Sequence, residues 1–300
     1  MAAAPGNPPA VARQRVRRAL RRARDETPLS QGDVAKRLGW SLSKMQRIEA
    51  GEVGVAPTDL RALLDVYGVT DPERISRLTA DAHRSRRQRY LVAPEYREHV
   101  SAGLLELMQF EQEATAIRVY QPHIYPGFLQ TAEVAEAILQ DMNRQLPEER
   151  RRVLFKVRMT RRQRVLESLA EREYFLVIDE SVIKRRIVNA KVSATQIEEV
   201  VDFANRSNVH VRMISFDRGA YLSPSGPFQV LSMDGDDDGE AVLYREIYQQ
   251  DEMIHDPREV RSHQAEFEKL WALSLAEDAT LRKLTAEAAL LRSAMDFDSR

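Results

Sequence analysis

Between Leu29 and Val53, short polar and forked cationic side chains recur at helical spacing. Ser43 and Arg47 are four residues apart, so on a helix they point the same way. Leu42, Lys44 and Gln46 flank them. Gln31 and Ser41 stand where two short helical patterns begin. Hydroxyl, amide and guanidinium groups are what reading base edges requires. A helix about 10 Å wide also fits a major groove about 12 Å wide. The chemistry indicated is recognition of double-stranded DNA.

The elements that must position these residues follow from periodicity and caps. Ser30, with Asp33 three residues on, predicts a helix start, and Gly39 predicts its end after Leu38. Ser41 and Gly51 bound the next helix. Val34, Ala35, Leu38, Met45 and Ile48 are the apolar positions that let the two helices pack across Gly39. An earlier helix over Val11–Arg24 carries the stripe Val16, Ala19, Leu20 and Ala23. A fourth follows Pro57 and ends near Tyr67. A fifth opens at Asp71-Pro72-Glu73 and continues to about Arg89. Residues 1–10 read as a disordered leader, 11–90 as an all-α domain, and Pro94 as part of a linker. Charge supports a polyanion partner for the first part. Residues 1–90 hold 18 Lys and Arg against 10 Asp and Glu, a net +8. The rest of the chain nets −9.

Gln31, Ala35, Gly39 and the ending Ile48-Glu49-Ala50-Gly51 resemble the Xre-type, lambda-repressor/Cro (C1) helix-turn-helix family, over residues 11 to about 68. The resemblance implies five lambda-repressor-like helices with a recognition helix at about 42–50. It implies a phosphate contact for Gln31 and base-contacting positions for Ser41, Leu42, Ser43 and Arg47. Lys44 and Gln46 would lie near the backbone. Leu42 departs from the usual polar residue; it either meets a thymine methyl or reads nothing.

Beyond residue 94 the pattern changes. Helical stretches are expected at about 95–117, 130–143 and 147–170, around a loop at Tyr120–Gly127. Strand-like runs are expected at Tyr174–Asp179, Val209–Phe216, Phe228–Met233 and Ala241–Tyr248. Ser193-x-x-Gln196 reads as a capping box, and Asp256-Pro257-Arg258-Glu259 opens a last helix expected to persist to about Met295. The fold class is an α+β domain over 95–297 with a small, mostly antiparallel sheet.

Glu111-x-x-Ala114, Pro126-Gly127-Phe128-Leu129-Gln130-Thr131, Arg158-x-x-x-Arg162-Gln163, Val177-Ile178-Asp179-Glu180, Gly226-Pro227-Phe228 and Val242 to Glu246 occur in order. They resemble the regulatory domain of actinobacterial WhiJ-like, antitoxin-like regulators. That resemblance implies a small partner protein encoded nearby. Arg162 and Glu180 are candidates for a buried ion pair. Tyr125, Phe128, Arg162, Glu180 and Glu246 either pack structurally or rim a ligand or partner pocket. Eight basic residues in Arg150–Arg164 form a solvated face, a docking face for an acidic partner, or a second DNA contact.

Other chemistries find little support. No cysteine is present, which excludes disulfides, thiolate catalysis and Cys-based zinc sites. The six histidines are scattered without metal spacing. Asp234-Gly-Asp236-Asp-Asp238-Gly239 opens like a calcium loop, but Arg245 stands where the bidentate acid belongs; it reads as an acidic turn. No phosphate loop or nucleophile elbow occurs. No apolar run approaches the roughly 20 residues that span a bilayer. The expectation is a cytoplasmic regulator with no cofactor, metal, membrane contact or enzymatic activity. It binds a pseudo-palindromic operator as a homodimer, because one short helix reads too few base pairs alone. An antitoxin-like interaction protein and a metabolite-gated regulator are the alternatives.

Overall fold

Caps set the bounds of the short helices at the N-terminus. The protein is described from a computed structural model at residues 9–51, 53–86, 94–218, 225–233, 241–247 and 250–298. It divides into two compact units, 1–91 and 92–300. In the first, α1 is Pro9–Asp25, α2 Gln31–Leu38, α3 Leu42–Ala50, α4 Pro57–Val66 and α5 Pro72–Ser85. The expected leader and the end of the fifth helix fall partly outside the described residues. Pro9 and Ala10, placed in the leader by composition, already belong to α1.

The Ser30 side chain accepts from the Asp33 N–H while Asp33 reaches back to the Ser30 N–H, a complete capping box. Gly39 has φ +67°, which a residue with a Cβ adopts only under strain. There the Trp40 N–H bonds Ala35 O at 2.8 Å and the Gly39 N–H bonds Lys36 O at 3.3 Å, so the turn absorbs the last carbonyls of α2. Isolated helices of 8 to 10 residues are marginal in water. What holds α2 to α4 is burial. Leu20, Val34, Met45, Ile48, Leu60, Leu63 and Leu64 form one core, each almost wholly removed from solvent, and each such side chain contributes about 1.5–3 kcal/mol.

The second unit is α+β, as expected, with a six-stranded mixed sheet in the order β3-β2-β1-β4-β5-β6. Here β1 is Ala114–Gln121, β2 Glu173–Asp179, β3 Val209–Ile214, β4 Phe228–Met233, β5 Ala241–Ile247 and β6 Gln250–Ile254. The β1–β2 and β2–β3 pairs are parallel, and the β1–β4, β4–β5 and β5–β6 pairs antiparallel. Parallel pairing demands crossover connections. The helices α7 (Ala132–Met142) and α8 (Glu148–Glu167) supply the first, and the short α9 (Glu180–Lys184) with α10 (Ala190–Ala204) the second. On one face, Val177, Val230 and Leu243 pack with Val260, Phe267 and Leu270 of α11 (Pro257–Leu273). Against the other lies α12 (Glu277–Asp298), packed on α10 and β3.

Several elements differ from the sequence reading. The stretch 95–117 is not one helix. It is a 3-10 turn at Pro94–His99, α6 at Ala102–Phe110, and the start of β1. Pro94 thus opens a 3-10 turn where a linker was expected. Ala114 and Ile117 mimic helical spacing, but the β-branched Thr115, Ile117 and Val119 alternate, and pairing on both sides decides for strand. Tyr120 and Gln121 complete that strand instead of opening the loop. The N-cap of α10 is Asn189, which accepts from the Val192 N–H. Ser193 and Gln196 lie inside that helix and are buried. The last helical stretch breaks at 274–276. There the Leu275 N–H bonds Met213 O at 2.9 Å and the Thr280 hydroxyl accepts from the Met213 N–H at 3.1 Å, which stitches the break to β3. The polar strand β6 had no hydrophobic alternation to betray it. The acidic turn at 234–239 lies outside the described residues.

Gly39→Ala isolates the cost of the left-handed turn, since an added Cβ there meets nothing within 4 Å. We expect the N-terminal unit to lose about 1–2 kcal/mol in urea denaturation. An unchanged midpoint would show that the turn relaxes.

Candidate nucleic-acid interface

Helix α3 is amphipathic in a way that fixes which residues face out. Met45, Ile48 and Glu49 are buried. Leu42, Ser43, Gln46 and Arg47 are exposed on the opposite side, and Leu42 keeps 47% of its surface. Ser41 is also exposed and caps α3, its hydroxyl accepting from the Lys44 N–H at 3.1 Å. Lys44 is more constrained. Its Nζ lies 2.9 Å from Asp59 Oδ2 and 3.7 Å from the centre of the Trp40 ring. That side chain therefore ties α3 to α4 and leans on the turn.

Gln31, at the first position of α2, is half-buried. Its Nε2 donates to Glu49 Oε2 at 2.6 Å. Glu49 is only 3% exposed. Its carboxylate also takes a two-pronged contact from Arg24, at 2.7 Å from Nε and 3.2 Å from Nη2. The hydrogen bond to Glu49 raises the Arg24 pKa, against the effect of burial, so the guanidinium stays charged. Arg17, also buried, donates from Nη1 to Ala50 O at 3.0 Å, at the negative end of the α3 dipole. It lies so close to Gly51, at φ +80°, that a Cβ there would stand 2.9 Å from Arg17 Cδ. The sequence reading did not single out Arg24 or Arg17. Their distinguishing signal was an apolar-face position facing the Ile48-Glu49-Ala50-Gly51 ending.

The candidate residues of the second unit do not gather at one rim. Tyr125 is buried, and burial pushes its hydroxyl pKa up. Phe128 packs in an aromatic cluster, with ring centres 5.9 Å from Tyr174 and 6.0 Å from Phe203. The expected Arg162–Glu180 pair is not formed. Arg162 instead bonds Glu199 at 2.5 Å, from α8 to α10. Glu180 accepts from Ser215 Oγ at 2.8 Å, the Phe216 N–H at 3.0 Å and Lys283 Nζ at 2.8 Å. Those contacts hold its carboxyl below the ordinary range despite desolvation. On β5, desolvation holds the Glu246 carboxyl above the ordinary range, with Asp251 adding to the effect and Arg158 opposing it.

One residue away, Arg161 makes a buried ion pair that the sequence reading did not name. It grips Glu111 through contacts of 2.7 to 3.1 Å. Nearby, the buried Gln130 accepts from Arg158 Nη1 at 2.8 Å and donates to Tyr125 O at 2.6 Å. Gly127 is where a Cβ would come within 3.6 Å of Arg161 Nη1. Glu111, the Gly127–Gln130 corner and Arg158 thus meet, through Arg161, in a polar support inside the unit. A separate groove of about 550 Å³ runs between α7 and α8, with Leu139 and Phe155 in its lining and Arg144, Arg151, Arg152 and Lys156 among its cations. Among the described residues, no three His, Asp or Glu stand together as a metal site. Nor is any helix there long and apolar enough to cross a membrane.

Fold and interface together define a two-unit helix-turn-helix protein. Residues 15–77 match the family model described as a helix-turn-helix domain, which suggests a DNA-binding regulator. Residues 104–286, more than half of the chain, match the model described as Domain of unknown function (DUF5753), and the chain belongs to that family. No curated protein and no solved structure matches the chain.

Removing one partner from a buried ion pair strands the other charge, at about 3–5 kcal/mol. Arg161→Ala should therefore destabilise the second unit by that amount in urea denaturation. The double change Arg161→Met with Glu111→Leu should cost less than Arg161→Ala alone. A double variant that loses more would mean the cluster stabilises through its wider hydrogen bonds.

Proposed function

We propose that this chain is a sequence-specific transcriptional regulator of the Xre type that acts by binding and not by catalysis. The observation that carries this reading is the outward face of α3. Leu42, Ser43, Gln46 and Arg47 are exposed together while the other side of the helix is locked into the core. In this reading α3 enters the major groove, Ser41, Leu42, Ser43 and Arg47 meet base edges, Gln31 meets a phosphate at its mouth, and Lys44 and Gln46 lie near the backbone. The surplus of arginine in residues 1–90 supplies phosphate neutralisation. The protein acts in the cytoplasm as a homodimer on a pseudo-palindrome, with half-sites about one helical turn apart. The second unit serves dimerisation and partner binding.

A second reading, in which binding a small partner protein is the main task, is favoured by the α7–α8 groove. It combines apolar surface with basic side chains, which suits an acidic amphipathic segment. Operator selection separates the two. Genomic fragments bound by the full chain should yield a palindromic motif, and light scattering with that DNA should give two chains per site. Failure to enrich any motif would move the main task to the partner. On the enriched site, Arg47→Ala should weaken binding by about 1–3 kcal/mol and leave non-specific binding nearly unchanged. Equal losses on both would restrict Arg47 to phosphate.

A further inference from the structure

We propose that Glu49 is a positioning residue of the DNA interface, holding the Gln31 amide ready for a phosphate. The proposal rests on the reading above, in which Gln31 meets the DNA backbone. A carboxylate only accepts hydrogen bonds, so the group facing it at 2.6 Å must be the Gln31 nitrogen and not its oxygen. That assignment fixes the amide orientation. One N–H is spent on Glu49, and the second points elsewhere on a side chain that is half-exposed at the start of α2. A glutamine otherwise samples many rotamers. Here the ordering is done before DNA arrives, which lowers the entropy lost on binding.

The same geometry explains why an acid can stand at a surface that meets phosphates. An uncompensated carboxylate with 3% exposure would repel DNA and destabilise the fold. Arg24, the more exposed partner of the pair, cancels its charge with a two-pronged contact, leaving the Gln31 amide beside it as the group offered to a phosphate. Arg24, Glu49 and Gln31 thus form a relay from α1 through α3 to α2. Arg17 ties down the backbone of the next residue, Ala50, at the end of α3.

The test uses the full chain and a duplex of about 30 base pairs, with Glu49→Gln, Gln31→Ala and their combination. A neutral amide at 49 weakens the hold on Gln31 while keeping the shape. Gln31→Ala should weaken binding about tenfold and Glu49→Gln about three- to tenfold, with the double variant no weaker than Gln31→Ala. In 15N spectra without DNA, one Gln31 side-chain amide proton should resonate downfield and shift back in Glu49→Gln. Additive losses in the double variant, with Gln31→Ala weak as expected, overturn the positioning role and leave Gln31 at the DNA. Parental binding by Gln31→Ala overturns the phosphate role itself, whatever the amide proton does. If Glu49→Gln lowers the unfolding temperature enough to unfold the unit, Gln31→Asn replaces it. That change keeps the amide but lacks the reach to Glu49 and leaves the Arg24 pair untouched. It should bind within about twofold of Gln31→Ala, and parental binding by Gln31→Asn overturns the proposal.

Discussion

A carboxylate stripped of almost all its water must keep its partners, and Glu49 keeps two. That constraint organises the N-terminal unit. The long α1 supplies the cation, α3 the anion and α2 the amide. Three helices that share an apolar core are thereby also fixed in rotation about their axes. Apolar packing alone is tolerant of small slides, because Leu and Met repack at low cost. A two-pronged guanidinium contact is not tolerant in that way. The contact reinforces the outward direction of Ser43 and Arg47 that the apolar period of α3 sets, since a roll of α3 would break it.

The second unit repeats the device with different elements. Glu111 follows α6 directly, and Arg161 comes from the middle of α8. Their contact pins the first crossover helix to the segment that feeds the central strand β1. Gln130 extends the support to the corner at Tyr125, and Gln196 closes it from α10. Its Nε2 donates to Leu129 O at 2.9 Å and its Oε1 accepts from the Thr131 N–H at 2.8 Å. These amides satisfy backbone groups that the turn between β1 and α7 leaves open. Polar residues in ordered motifs here serve backbone satisfaction and helix placement.

That arrangement explains what was legible in the sequence. Caps act over three or four residues, so Ser30, Gly39, Ser41, Gly51 and Asp256 announced their helices almost to the residue. The exposed face of α3 followed from period alone. Strand β1 did not, because its identity depends on β2 and β4, more than 50 residues away in sequence. The same limit hid the role of Arg161. On α8 it is one of eight basic residues, and only the position of Glu111 in space selects it over Arg162. The break at 274–276 was hidden for a related reason, since the stop is written in Met213 and not in the helix.

The charge division between the units sharpens what each surface can bind. Residues 91–300 carry a net −9, so a polyanion approaching them broadly is repelled at distances within about a Debye length, near 10 Å. The basic stretch of α8 is the local exception, but its cations are partly spent within the chain. Arg152 contacts Glu148, Arg144 contacts Asp141, and Arg151 donates to Leu146 O at 2.5 Å. A phosphate backbone lying there would compete with those acids and gain nothing from Leu139 and Phe155. Carboxylates of any other origin would meet the same competition, from Glu136 and Glu148 of the lining among others, so what sets this groove apart from α3 is its apolar surface. On α3 the balance is reversed. Among the described residues its outward face has no acid; Glu49 is buried and neutralised by Arg24, and Asp59 of α4 is held by Lys44. The two surfaces therefore differ in chemistry: α3 presents polar and cationic groups, and the groove mixes both charges beside apolar side chains.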